Sequence, residues 1–269
     1  KKKKKIQKYC LSILFIVVSV QITAQVNCNS VQGDDCKKAC EIYNELEKYN
    51  QGSRESQEGF DDAIQLCPTF SHLYSEKSVP YLKRGDFTTW KVLIDKAVAL
   101  DPKKHLGYRG WCKYQFLRDY KGAILDIESL EKFYPTGYLG YSANGDYELH
   151  IAKALCYSAL GQKEKAISIF ENQLAQKDHQ IGFYDYYQLG VTYFELGKYD
   201  KALENFEKQS KHNDFSENIY FRGKVSKIRN KDYLDLKKKA LASYDEGKTM
   251  KDGYTHHFNK VYRSQIEAL

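Results

Sequence analysis

A skeleton of aromatic, small and glycine residues returns along this chain about every 34 positions, and that period restricts the fold more than any other feature. Its clearest copy is Tyr186-x2-Leu189-Gly190-x2-Tyr193, followed by Gly197-Lys198-Tyr199 and Ala202-x3-Phe206. Upstream stand Ala154-x2-Tyr157, Gly161 and Ala166-x3-Phe170, then Trp111-x2-Tyr114, Asp119-Tyr120, Ala123-x3-Ile127 and Pro135. Tyr74, Tyr81, Gly85-Asp86-Phe87, Trp90-x3-Ile94-x2-Ala97 and Asp101-Pro102 make a further copy. Weaker first and last copies carry Phe60-x2-Ala63 with Pro68, and Tyr220, Tyr233 and Leu236-x3-Ala240. The slot that opens each second helix falls at Ser56, Trp90, Ala123, Ala166, Ala202 and Leu236, in steps of 34, 33, 43, 36 and 34.

Each unit reads as two amphipathic helices that cannot bury their apolar stripes alone, so neighbours must stack and share one core. The pattern predicts an all-α solenoid of helix-turn-helix units. Ala123, Ala166 and Ala202 allow close helix approach, and the bulky residue four places on fills the space beside each. Trp90 and Leu236 depart from that small-residue rule. Gly85, Gly161 and Gly197 fall where a left-handed residue ends a first helix, and Pro102 and Pro135 follow second helices that a proline cannot extend. The step of 43 marks an insertion rich in Gly and Tyr at 136–146. The expected organisation is a leader at 1–24, a cysteine-bearing segment at 25–36, the solenoid at 37–250 and a cap on the last repeat at 251–269.

These residues resemble the tetratricopeptide repeat, with Tyr in place of its leading Trp. The resemblance implies a right-handed superhelix whose first helices line a concave groove for an extended or helical peptide. Carried over residue by residue, the groove slots are His105, Tyr108, Arg109 and Gln115 in the third unit, Tyr184, Tyr187 and Gln188 in the fifth, and Asn218, Phe221 and Arg222 in the sixth. Tyr and Arg are frequent interface anchors. A subfamily that grips a C-terminal carboxylate fits less well, because Glu76 would repel such a ligand. The leader and repeats together resemble exported tetratricopeptide proteins of Bacteroidota, whose leaders often end as Ala24-Gln25 does.

Lys1 to Lys5 and Lys8 precede an apolar run from Tyr9 to Val20 and a small residue, Ala24. That layout is a secretory signal cleaved after Ala24; the run is short for a membrane span, which makes an uncleaved anchor the lesser reading. Lipidation at Cys28 is a further alternative, poorly matched by the preceding Gln25-Val26-Asn27. Removing residues 1–24, with six lysines and no acid, takes the net charge from +7 to +1. A nearly neutral chain carries no electrostatic footprint for nucleic acid. No stable membrane span is expected after cleavage.

Cys10 leaves with the leader, and six cysteines remain for an oxidising compartment. Cys28, Cys36, Cys40 and Cys67 lie within 40 residues. A helical hairpin over 36–50 and 56–67 would bring Cys36 or Cys40 to Cys67 and leave the other for Cys28. Disulfides are the expectation, with free thiols or a four-thiolate metal site as alternatives. Cys112 and Cys156 read as small buried hydrophobes.

The chain has no H-E-x-x-H, G-x-S-x-G, P-loop or dinucleotide glycine fingerprint. His256-His257 reads as a solvated turn, since adjacent histidines point apart and no nearby Cys or His completes a set. No cofactor, metal or enzyme activity is expected. The leading functional expectation is an exported scaffold, in the periplasm or cell envelope, that binds a protein or peptide partner. The alternatives are an envelope assembly factor in a stable complex, or a small-ligand or carbohydrate binder using the Tyr-rich insertion.

Overall fold

The computed structural model describes residues 26–135 and 137–269. The expected leader, with Cys10, and Thr136 of the insertion lie outside them. Among the described residues the regular structure is all helical, apart from an isolated bridge between Tyr141 and Glu148. The helices are α1 (Asp34–Glu45), α2 (Arg54–Leu66), α3 (Ser71–Lys83), α4 (Phe87–Leu100), α5 (Pro102–Cys112), α6 (Tyr120–Glu131) and α7 (Leu149–Ala159). They continue as α8 (Lys163–Leu174), α9 (Asp185–Glu195), α10 (Tyr199–His212), α11 (Ser216–Ile228), α12 (Leu234–Asp245) and α13 (Arg263–Glu267). Helices α1 to α12 form six successive hairpins, each packed on the next, and α13 packs on α12.

The turn inside each hairpin repeats one device. A left-handed residue ends it at Gly52, Gly85, Arg118, Gly161, Gly197 and Asn230, with φ between +53° and +83°. Ser53, Asp86 and Asp119 follow directly and accept a hydrogen bond from a first-turn amide of the next helix. In the third unit the turn is preceded by a π-helical stretch, Lys113–Leu117, and a non-glycine residue, Arg118, occupies the left-handed position.

The small-residue slots behave as their spacing requires. Ala123, Ala166 and Ala202 are fully buried, as are Ile127, Phe170 and Phe206 four places on. A Cβ on Gly190 would lie 2.5 Å from the Phe206 ring, which explains why α9 carries glycine where it meets α10. Trp90, the bulky exception, is equally buried. Leu236 is half-buried, and in that unit Ala240 is the buried residue.

One continuous core runs through the middle repeats, while the first hairpin has a small separate cluster around Leu46, Phe60 and Leu73. Two disulfides reinforce that weaker end. Cys36–Cys67 joins the start of α1 to the end of α2, and Cys28–Cys40 ties the preceding segment to α1. Cys112 and Cys156 are free and buried.

Two outcomes test these assignments. Gly161→Ala meets open space but must hold φ near +78°, so it should lower stability by about 1 kcal/mol in chemical denaturation. Cys36→Ala with Cys67→Ala releases a loop with a separation of 31 residues. It should cost the first hairpin about 2–4 kcal/mol, read as faster hydrogen exchange confined to α1 and α2.

Candidate functional site

The concave face of repeats three to six is filled by the chain itself. After α12, residues 249–262 leave the last repeat, run along the first-helix face, turn at Tyr254 and come back to α13. The two limbs meet at Glu217 on α11, whose carboxylate accepts from Met250 N at 3.1 Å and from Lys260 Nζ at 2.7 Å. Lys260 Nζ also donates to the Met250 carbonyl at 2.5 Å. Tyr187 Oη donates to the Asn259 carbonyl at 2.6 Å, and Gln188 Nε2 donates to the Phe258 carbonyl and to Tyr147 Oη, both at 3.0 Å. Asn259 Nδ2 completes the set by donating to Gln188 Oε1 at 2.8 Å. Further along, Arg118 donates to the His256 carbonyl and Thr255 Oγ1 to the Gln115 carbonyl. Met250, His257 and Val261 are buried by this docking. The segment is a compact loop with adjoining ends, seated as a plug.

The ten residues carried over as groove slots divide accordingly. Tyr187 and Gln188 are fully buried under the plug and bonded to it. Tyr184 packs its ring 5.1 Å from His257 and 5.3 Å from Phe215. Phe221 is half-buried among Tyr187, Phe194 and Phe206. Gln115 is buried in the π-helical turn and meets the plug through its backbone carbonyl. The Arg109 guanidinium makes a two-bond contact with Asp126 on α6 and a third bond with Asp95 on α4, so two carboxylates between the helices engage it. Asn218 and Arg222 are also turned away, toward the end of α10. Asn218 Nδ2 donates to the Phe206 carbonyl, Ser210 Oγ and Asp214 Oδ1, and Arg222 donates to Ser210 Oγ. His105, itself buried, and Tyr108 border open space.

That space is a cavity of about 550 Å³ between α3 and α5, just beyond the tip of the plug. Its walls include Val79, Tyr108, Trp111 and Phe116, with Tyr254 of the plug on one side and Ala143 and Asn144 of the insertion on another. Tyr254 is 60% exposed, and Lys83 Nζ lies 5.1 Å from its ring centroid. Glu76 also faces the cavity, and burial raises its carboxyl above the usual range. His72 and His105 lie beside it. Burial, reinforced by the nearby Lys104 charge, holds both rings down to about 4, so they are neutral at pH 7. His105 Nε2 pairs with Ser71 Oγ at 2.9 Å. The surface is apolar and aromatic with a few polar groups, the composition of a docking pocket.

The expectation of a solvated His256-His257 turn does not hold for His257. Its ring is buried 6.1 Å from Tyr147 and 5.1 Å from Tyr184, with Nε2 at 3.0 Å from the Lys251 carbonyl. No spacing rule foretold this, because the residues around the ring, Asp146, Tyr147 and Tyr184, lie in the segments leading into α7 and α9, more than 70 positions away.

The tetratricopeptide repeat profile matches residues 142–176 and 186–211, the fourth and fifth hairpins. Those two hairpins are tetratricopeptide repeats. Comparison with curated proteins finds no match. Among solved structures, the fold is similar to PilW, a widely conserved type IV pilus biogenesis factor, with a TM-score of 0.61 at 14% identity over 80% of this chain and 96% of that one. It is similar to PilF of Pseudomonas aeruginosa, with a TM-score of 0.60 at 12% identity over 80% and 93% of the two chains. A tetratricopeptide repeat protein of Parabacteroides merdae gives 0.56 at 13% identity over 87% of this chain and 82% of its own. At these identities the likeness is one of fold.

The repeat pattern marked Trp111 and Tyr108 as first-helix residues of the array. It left Val79, Phe116 and Tyr254 unmarked. His72, Glu76 and Val79 follow the spacing of one helical face, but none of them belongs to the repeat skeleton of the second copy. Nothing in the repeat arithmetic signalled Tyr254.

The depressed histidines have a measurable consequence. Unfolded, such rings titrate near 6.5, so between about 4 and 6.5 the folded chain binds fewer protons and loses stability as pH falls. Each ring should account for roughly 1–2 kcal/mol of that loss, after allowance for solvent screening. Comparing urea midpoints at pH 7 and at acid pH should show a smaller loss in His105→Gln than in the wild type.

Proposed function

We propose that this tetratricopeptide-repeat protein is an exported interaction scaffold that takes a protein or peptide partner in the cavity between α3 and α5. The observation that carries the reading is the aromatic cavity itself, open at the end of a groove whose remaining length is taken by residues 249–262. Tetratricopeptide arrays in general act as non-enzymatic scaffolds, and the repeat match supports that class. Two disulfides in the first hairpin support an oxidising compartment, in keeping with the leader at 1–24. Among the described residues no helix is long and apolar enough to cross a membrane. A place in envelope assembly is a second reading, favoured by the likeness to PilW, itself a pilus biogenesis factor.

Tyr187 and Gln188 hold the plug in this structure, so substitutions there report on folding before they report on a partner. Tyr254 and Val79 are better probes, one on the rim and one inside the cavity. A photo-crosslinking residue at position 254 should form an adduct with a partner in native envelope extract. Val79→Arg should abolish that adduct with a melting temperature shift of no more than about 3 °C. An adduct that survives the arginine, or no adduct at any exposure, would remove the cavity as the docking site.

A further inference from the structure

Where the insertion meets the plug, three potential ligands converge from segments far apart in the chain. One oxygen each of Asp146 and Asp252 and one ring nitrogen of His257 all lie within 4.8 Å of one another. His257 Nε2 is 3.4 Å from Asp146 Oδ2. Asn144 Nδ2 holds the carboxylates together, donating to Asp146 Oδ2 at 2.6 Å and Asp252 Oδ2 at 3.1 Å. We propose that Asp146, Asp252 and His257 form a divalent transition-metal site that clasps the plug to the insertion loop.

Two features support this beyond proximity. Among the described residues neither carboxylate has a lysine or arginine at ion-pair distance, so two acids face each other with only an amide and an imidazole between them. The His257 side chain is wholly buried, yet its Nδ1 has no hydrogen-bond partner. Nε2, the nitrogen near Asp146, is engaged by the Lys251 carbonyl, so Nδ1 is the ring atom left free for a cation.

Two carboxylates with one imidazole suit first-row ions such as Zn²⁺ or Mn²⁺ better than Ca²⁺, which takes six to eight oxygens. Access is provided as well, since Asn144 and Asp252 also line the cavity between α3 and α5. Three protein ligands leave at least one coordination position for water or an incoming group. The ion would join the insertion to both limbs of the plug and hold its tip in place.

Chelator-stripped full-length mature chain titrated calorimetrically with Zn²⁺ should bind one equivalent with a Kd in the micromolar range or tighter. Asp146→Asn and Asp252→Asn should each weaken binding at least tenfold, and His256→Ala should leave it unchanged. Zn²⁺ should also slow hydrogen exchange at 252–258, an effect absent from both asparagine variants. Absence of Zn²⁺ binding, equal binding by wild type and Asp252→Asn, or tighter binding of Ca²⁺ than of Zn²⁺ would each overturn the assignment. None of these readouts uses a partner, so the scaffold reading stands or falls separately.

Discussion

A two-helix unit has more apolar surface than its own two helices can cover, and every other feature of this molecule answers that surplus. Inside the array each hairpin is covered by the next, which is why one core runs unbroken through the middle repeats. The ends have no such neighbour. At the beginning, a small cluster around Phe60 is backed by two disulfides that limit the unfolded chain. At the other end, α13 and Leu269 cover Tyr220 and Ala240, and Val261 and Ile266 are buried in the same cluster.

The concave face poses the same problem along its length, and the plug is the answer there. Its hold is polar as much as apolar. Gln188 is fully buried with both side-chain amide atoms engaged, and Glu217 receives a backbone amide and an ammonium. Withdrawing the plug would strip partners from such buried groups, at about 1–3 kcal/mol apiece. The docked loop is therefore part of the fold, and the space left for a ligand is the cavity past its tip. The insertion belongs to the same arrangement, because Asn144 and Asp146 touch the plug while Ala143 lines the cavity.

Much of the architecture was legible because it is periodic. The left-handed turn residues, the buried alanines and the aromatic partners four places on recur with the step of the chain, so local spacing implies local packing. Arg118 and Asn230 escaped that reading because non-glycine residues fill the left-handed position. The groove was harder to read. Family slots place a residue on a helix, but Arg109 turned to Asp126 and Asp95, and Asn218 and Arg222 to the end of α10, because nearby polar partners outweigh slot convention.

By itself, then, the amino-acid order determined the repeating hairpins, their turns and the pair of helices that the cysteines join, since those depend on contacts a few to about 35 residues apart. Tertiary structure alone decided the pairing of Cys28 with Cys40 and of Cys36 with Cys67, the burial of His257 and the occupant of the groove. The last two depend on contacts between residues 70 or more apart, such as Gln188 with Phe258 and Asn144 with Asp252, and no local period encodes which distant segment will satisfy a buried donor.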